Sequence, residues 1–303
     1  MIRQHAKSRK LLTKCSILLL MLCHSSSHAG LIAFDLYNNK SLNLIEYNNP
    51  LEGAFSHSID DTFEKHRQGA GNISEGLIDD SKDRSDSLGL IEKDQDFDEF
   101  FAVQDLDNAI NPSGQATASW IFDIENSSNL SLSLDIAAMG DFELSDWFRW
   151  DYAIDDFDRQ TLFELNTEQT KTQAYQMASG AILSLDDPLA IGNPVLGNPV
   201  LGDPLFSDRL LNNKFQSFSA PIFGEGFKLK LLFTAQQNGG GEVLAFRNLK
   251  IEGQSQLPAS AAIPTPATAP LLLIGFCGLW LNRRKKRLGK SRNSRDNHYS
   301  SKG

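Results

Sequence analysis

From Gln115 to Ile154 apolar side chains recur at every second position, and this alternation limits the fold more than any other feature of the chain. Ala116, Ala118, Trp120, Phe122 and Ile124 alternate with Gln115, Thr117, Ser119 and Asp123. Leu130, Leu132, Leu134 and Ile136 alternate with Ser131, Ser133 and Asp135, and Phe148, Trp150, Tyr152 and Ile154 with Arg149, Asp151 and Ala153. Residues two apart share one face of an extended chain, so each run predicts a strand with one buried face. Leu229, Leu231 and Phe233, set between Lys228, Lys230 and Thr234, predict another. The stretch from Glu242 to Glu252 changes phase between Phe246 and Leu249, as a β-bulge requires. Asn126-Ser127-Ser128-Asn129 and Asn238-Gly239-Gly240-Gly241 supply turns. A parallel sheet needs crossover helices, and no long amphipathic helix interrupts these runs. The expected fold is therefore all-β, an antiparallel sandwich.

The remaining body is less regular. Leu31 to Tyr37 and Leu42 to Tyr47 read as two strands joined by the turn-forming Asn38-Asn39. About 53–96 is rich in Asp, Ser, Gly and Lys and reads as a long polar insertion, with at most a short helix around Asp61 to Gln68. Gly192-Asn193-Pro194-Val195-Leu196 is repeated as Gly197-Asn198-Pro199-Val200-Leu201 and again in Gly202-Asp203-Pro204-Leu205. Proline in each unit removes a ladder donor, so 188–206 is expected to be a loop of successive turns.

Charge divides the chain into three. Residues 1–29 carry five Lys/Arg and no acid, and 271–303 carry nine Lys/Arg against Asp296 alone. Residues 30–270 hold 37 acidic and 15 basic residues, a net charge near -22. A surface so negative repels phosphate backbones and excludes nucleic acid as a partner of the body. Cys15, Cys23 and Cys277 are the only cysteines and lie in the terminal segments. That excludes a thiolate metal site, a cysteine nucleophile and a disulfide framework from the body.

The N-terminus runs from Arg3, Lys7, Arg9, Lys10 and Lys14 through the apolar Ile17 to Leu22 and then turns polar at His24 to His28. This order predicts a secretory signal peptide over 1–29, cleaved between Ala29 and Gly30. The exported body then spans 30–255. A Pro/Ala linker follows at 256–266, a hydrophobic helix at 267–282 and a basic tail at 283–303, with Arg283-Arg284-Lys285-Lys286-Arg287 holding the end on the cytoplasmic side. Pro264-Thr265-Pro266, the hydrophobic segment and this cation cluster resemble the PEP-CTERM sorting signal of Gram-negative bacteria. The resemblance implies recognition by an exosortase-type membrane protease, with the C-terminal segment in the inner membrane before processing. Thr265 stands where such signals carry an acid, and a plain single-pass anchor stays open.

A second resemblance lies in the body. Phe100 to Asp107, Leu130 to Ala138, Asp146 to Asp155 and Phe215 to Ile222 are similar to the jelly-roll modules of secreted bacterial proteins, relatives in architecture of carbohydrate-binding β-sandwiches. It implies a jelly-roll-like sandwich that serves in the cell envelope or the extracellular matrix. An extracellular polysaccharide is the ligand if the body is a binding module.

Candidate sites follow from residue chemistry. Asp105, Asp107 and Asn108 place hard oxygens close together at the end of an expected strand, which suits calcium; no other cofactor is implied. Trp147 and Arg149 fall on the face opposite Phe148, Trp150 and Tyr152, where an aromatic ring is free to stack on a sugar. Asp155, Asp156 and Asp158 are too close in sequence to flank a glycosidic bond, and no nucleophile elbow surrounds Ser56-His57-Ser58 or His66. With no catalytic constellation, the sequence reads as a non-enzymatic exported surface or matrix protein, a carbohydrate-binding β-sandwich module, with or without calcium, being the alternative.

Overall fold

Each alternating run forms a strand. The computed structural model describes residues 29–55, 60–67, 73, 76–79, 87–91, 99–192 and 209–255. Predicted features at 1–28, Ser56-His57-Ser58, most of the 188–206 loop and the whole of 256–303 lie outside them. The chain divides into two units, Met1–Gln256 and Leu257–Gly303, and the described residues all belong to the first.

Every regular element among the described residues is a strand. In chain order these are β1 (Gly30–Tyr37), β2 (Lys40–Leu42), β3 (Leu44–Asn48), β4 (Thr62–Arg67), β5 (Glu99–Gln104), β6 (Gln115–Asp123), β7 (Ser127–Gly140) and β8 (Trp147–Ile154). They continue as β9 (Gln160–Thr167), β10 (Thr172–Gln176), β11 (Ile182–Asp186), β12 (Leu189–Gly192), β13 (Gln216–Pro221), β14 (Lys228–Gln236) and β15 (Glu242–Ser255). One sheet has the order β13-β7-β15-β1-β2, with β5 also paired to β15 and β4 to β5; the other runs β12-β9-β8-β14-β6-β3. All these strand pairings are antiparallel. The hairpin β10-β11 stands apart.

The two sheets bury their apolar faces in one core. Trp120, Phe122, Phe148, Trp150, Leu231 and Phe233 of one sheet meet Phe63, Phe101, Leu134, Ile136, Phe246 and Ile251 of the other. The centre is aromatic: Phe246 lies 4.8 Å from Phe233, 5.1 Å from Phe101, 5.3 Å from Trp150 and 5.9 Å from Trp120, mostly edge to face. A smaller cluster covers the opposite side of the first sheet, where Tyr175 and Met177 pack with Leu77, Leu90, Phe100, Met139 and Val243.

The longest strand organises the first sheet. β15 pairs with β7 along one edge, while its other edge takes β5 at Leu244 to Phe246 and β1 from Leu249 onward. The register shifts between Arg247 and Lys250, and Asn248 adopts φ 54°, so the phase change in the sequence is a bulge. It keeps both Phe246 and Leu249 in the core.

Three expectations need correction. The short helix expected around 61–68 is not found over the described residues 61–67: Thr62–Arg67 is strand β4, whose polar side chains find partners as an edge strand allows. Lys65 Nζ is 2.5 Å from Asp35 Oδ2, and Thr62 Oγ1 is 2.7 Å from His66 Nε2. The single strand expected over 42–47 is split at Asn43, which takes φ 54° and donates to Ile32 O at 2.7 Å. β2 stays beside β1 while β3 joins the other sheet at β6. The expected loop at 188–206 begins with a strand, β12, paired to β9.

Two stability predictions follow. Phe246→Ala should cost about 3–5 kcal/mol in urea unfolding, since the side chain is fully buried against four rings. His66 is lowered to about 4 by burial, so its neutral form is favoured by folding. The unfolded state binds the proton first as pH falls below about 6.5. His66 therefore contributes stability that is complete above that pH and is lost progressively toward pH 4, by roughly 3 kcal/mol. The difference in unfolding free energy between wild type and His66→Gln, measured from pH 7 to pH 4, should shrink accordingly.

Candidate functional site

Three loops meet at one rim of the body. They join β5 to β6, β7 to β8, and β14 to β15. The β7-β8 loop folds on itself: Glu143 N donates to Asp146 Oδ2 at 2.9 Å and Asp146 N donates to Glu143 O at 3.0 Å. This turn carries both carboxylates toward the first residue of β15, Glu242. Ligand oxygens of Glu143, Asp146 and Glu242 all lie within 4.8 Å of one another, a grouping found once among the described residues. Glu143 is exposed, whereas Asp146 and Glu242 are 2% and 3% exposed.

The backbone makes room for this convergence. Gly140 is the register partner of Glu242, and a Cβ there would fall 2.7 Å from Glu242 Cα. At Gly239 a Cβ would fall 2.6 Å from Glu242 Oε1. Neither position admits a side chain without moving the acid.

Crowded carboxylates cannot all ionise freely. Burial first, then Glu143 and Asp146, raises Glu242 far above the usual carboxylate range. Burial also raises Asp146. Glu143 is lowered, chiefly by accepting a hydrogen bond from Glu242. Of the three acids, Glu242 is the one whose protonated form burial favours most.

Around the cluster the polar contacts are incomplete. Gln237 is 0% exposed; its Nε2 donates to Glu242 O at 2.8 Å and lies 3.5 Å from Glu242 Oε2, but its Oε1 has no partner. One pole of the Asn238 amide is 3.2 Å from Glu143 Oε2 and 3.1 Å from Asp146 Oδ1, and the NH2 group placed there donates to both. Gln104 secures the same loop by donating to Gly240 O at 2.9 Å.

The predicted calcium residues sit in the neighbouring loop. Asp105, at φ 44°, is pushed up to about 6 by burial and then by Asp61, Asp60 and Asp107. Asp107 is exposed. The side chain of Asn108 is committed to the turn: Oδ1 accepts from Ile110 N at 2.9 Å and Asn111 N at 3.1 Å, and Nδ2 donates to Asp105 O at 3.0 Å.

Trp147 and Arg149 do share the outer side of their sheet. Arg149 lies 5.4 Å from the Trp147 ring centroid, and its Nε is 3.0 Å from Asp151 Oδ2. The indole nitrogen of Trp147 donates to Gln236 Oε1 at 3.0 Å. Trp147 follows Asp146 directly, so this pair borders the carboxylate cluster.

At the opposite rim a cleft of about 460 Å³ is lined by Tyr152, Phe157, Gln160, Phe223 and Glu225 among others. Phe157 and Phe223 are largely exposed there. Asp155 is not free to act with its neighbours, because its carboxylate accepts from Phe227 N and Lys228 N.

No protein-family model and no curated protein matches the chain. No local pattern in the sequence joins the carboxylate cluster, because its members come from two distant loops. The available signal was an acid directly after Asn238-Gly239-Gly240-Gly241, since a glycine run permits close backbone approach.

Proposed function

We propose that this chain is an exported, non-enzymatic surface or matrix protein of a Gram-negative envelope, with a jelly-roll-like body sorted or anchored through its C-terminus. The observation that carries the reading is the order of its terminal segments. A signal-like N-terminus precedes the body, and Pro264-Thr265-Pro266, an apolar stretch and Arg283 to Arg287 follow it. Two features of the body support it. β1 begins at Gly30 beside the exposed Ala29, so cleavage between them leaves the sheet whole. Gly30 pairs with Gly253, which puts the start and end of the body at one rim. β15 runs from that rim to Glu242, so the carboxylate rim lies at the far end of a strand of 14 residues, roughly 45 Å from Ser255.

A second reading, recognition of an extracellular polysaccharide, is favoured by the Trp147 ring and the adjacent Arg149 on the outer side of their sheet.

Processing separates a sorting signal from a plain anchor. In cells that possess an exosortase, wild type should begin at Gly30, be shortened near Ile263 and leave the inner membrane. Pro264→Ala with Pro266→Ala should remain long and membrane-bound. Immunoblots of cell fractions and N-terminal sequencing read both outcomes. Wild type that keeps its C-terminal segment and stays wholly in the inner membrane would overturn the sorting reading and leave a single-pass anchor.

A further inference from the structure

We infer that Glu143, Asp146 and Glu242 form a site for a calcium-sized divalent cation, completed by the amide of Asn238. Clustered acids are common without a metal. Two further features point to one here: a fully buried amide at the wall of the cluster, and a neighbouring amide able to present either pole to it.

Gln237 is enclosed by protein, its nitrogen is turned onto Glu242, and its Oε1 has no donor. Buried amide oxygens are rarely left so. Nε2, 3.5 Å from Glu242 Oε2, puts this amide end against the cluster, and water coordinated to a cation there would give Oε1 the donor it lacks. Asn238 supplies the second feature. One pole of its amide lies 3.2 Å from Glu143 Oε2 and 3.1 Å from Asp146 Oδ1, where with no cation the NH2 group is the pole that suits two carboxylates. With a cation between them the amide turns over, and the carbonyl oxygen becomes a ligand at the same place. Oxygens about 3 Å apart are neighbours on a coordination sphere whose metal–oxygen distance is about 2.4 Å.

The size and chemistry of the group select the ion. Three carboxylates and an amide are hard oxygen donors, with no nitrogen or sulfur to favour zinc. Oxygens that all lie within 4.8 Å of one another fit on a calcium sphere, about 4.6–5.2 Å across, and calcium accepts such an irregular set of protein oxygens where magnesium demands near-octahedral geometry and keeps several waters. Two of the acids are buried, and no ion pair to any of the three is present among the described residues. A divalent ion supplies the missing positive charge. Gly140 and Gly239 keep the space into which Glu242 must turn.

The site differs from the Asp105-Asp107-Asn108 set expected from the sequence, although both lie on one rim. The test uses the full chain, stripped with EDTA and titrated with calcium, magnesium or zinc while melting temperature and calorimetric heat are followed. Calcium should raise the melting temperature by several degrees, with magnesium and zinc weaker, because a ligand of the folded state stabilises it by mass action. Glu143→Gln removes an exposed oxygen at little cost to folding and should weaken calcium binding by at least about tenfold. Gly239→Ala should do the same by displacing the Glu242 carboxylate. Asp105→Asn should leave the response intact. No calcium effect in wild type up to millimolar concentrations overturns the inference. So does a calcium response that survives Glu143→Gln and Gly239→Ala, or one lost in Asp105→Asn instead. A response to zinc stronger than that to calcium overturns the choice of ion.

Discussion

The aromatic contact between Phe233 and Phe246 joins the two sheets at their centre, with Phe101, Trp120 and Trp150 closing around it. Rings of this size fill the space between the layers, and each is held by neighbours on both sheets. A bulge at Asn248 is needed to keep β15 in this packing along its whole length, because without it Leu249 and Ile251 would turn to the other face. Since the middle is occupied by rings, side chains that can do chemistry are displaced to the rims. The carboxylates gather at one and the aromatic cleft opens at the other.

Near one edge the sheets are also tied by polar groups. Asp35 on β1 accepts from Trp120 Nε1 of the facing sheet at 2.8 Å and pairs with Lys65 on β4. Lys65 in turn lies 3.9 Å from the ring centroid of Tyr47 on β3. A carboxylate 3% exposed is tolerable only because it is paired and hydrogen-bonded at once. The same network explains how a segment as polar as Thr62–Arg67 enters a sheet. Lys65 is satisfied by Asp35, distant in sequence, and the Thr62 hydroxyl by His66 four residues along the same strand.

That dependence marks the boundary of what the sequence discloses. Strands β6, β7, β8 and β14 and the bulge in β15 are legible because one face of each is apolar at a period of two, and local alternation is a local fact. β4 is hidden because Phe63 is its one apolar residue in the core and the rest of its burial is bought by Asp35 and Thr62. The break at Asn43 is equally obscure, since asparagine at positive φ looks like any polar residue in a strand. For the candidate site, the outward placement of Trp147 and Arg149 follows from alternation. Asp105 was visible as an acid beside other acids, but the use of Asn108 in its own turn was not. Glu143, Asp146 and Glu242 become neighbours only when β15 is laid beside β7, so no local pattern could join them.

The rim opposite Gly30 and Ser255 thus gathers the carboxylates, and a cation among them is what sets it apart from the aromatic cleft. A crystal structure of the protein grown in millimolar calcium addresses it most directly. The account predicts one strong density peak among Glu143, Asp146 and Glu242, with metal–oxygen distances of about 2.3–2.6 Å and the Asn238 oxygen turned toward it. Density for water alone, with the Asn238 NH2 group donating to Glu143 and Asp146, would contradict it.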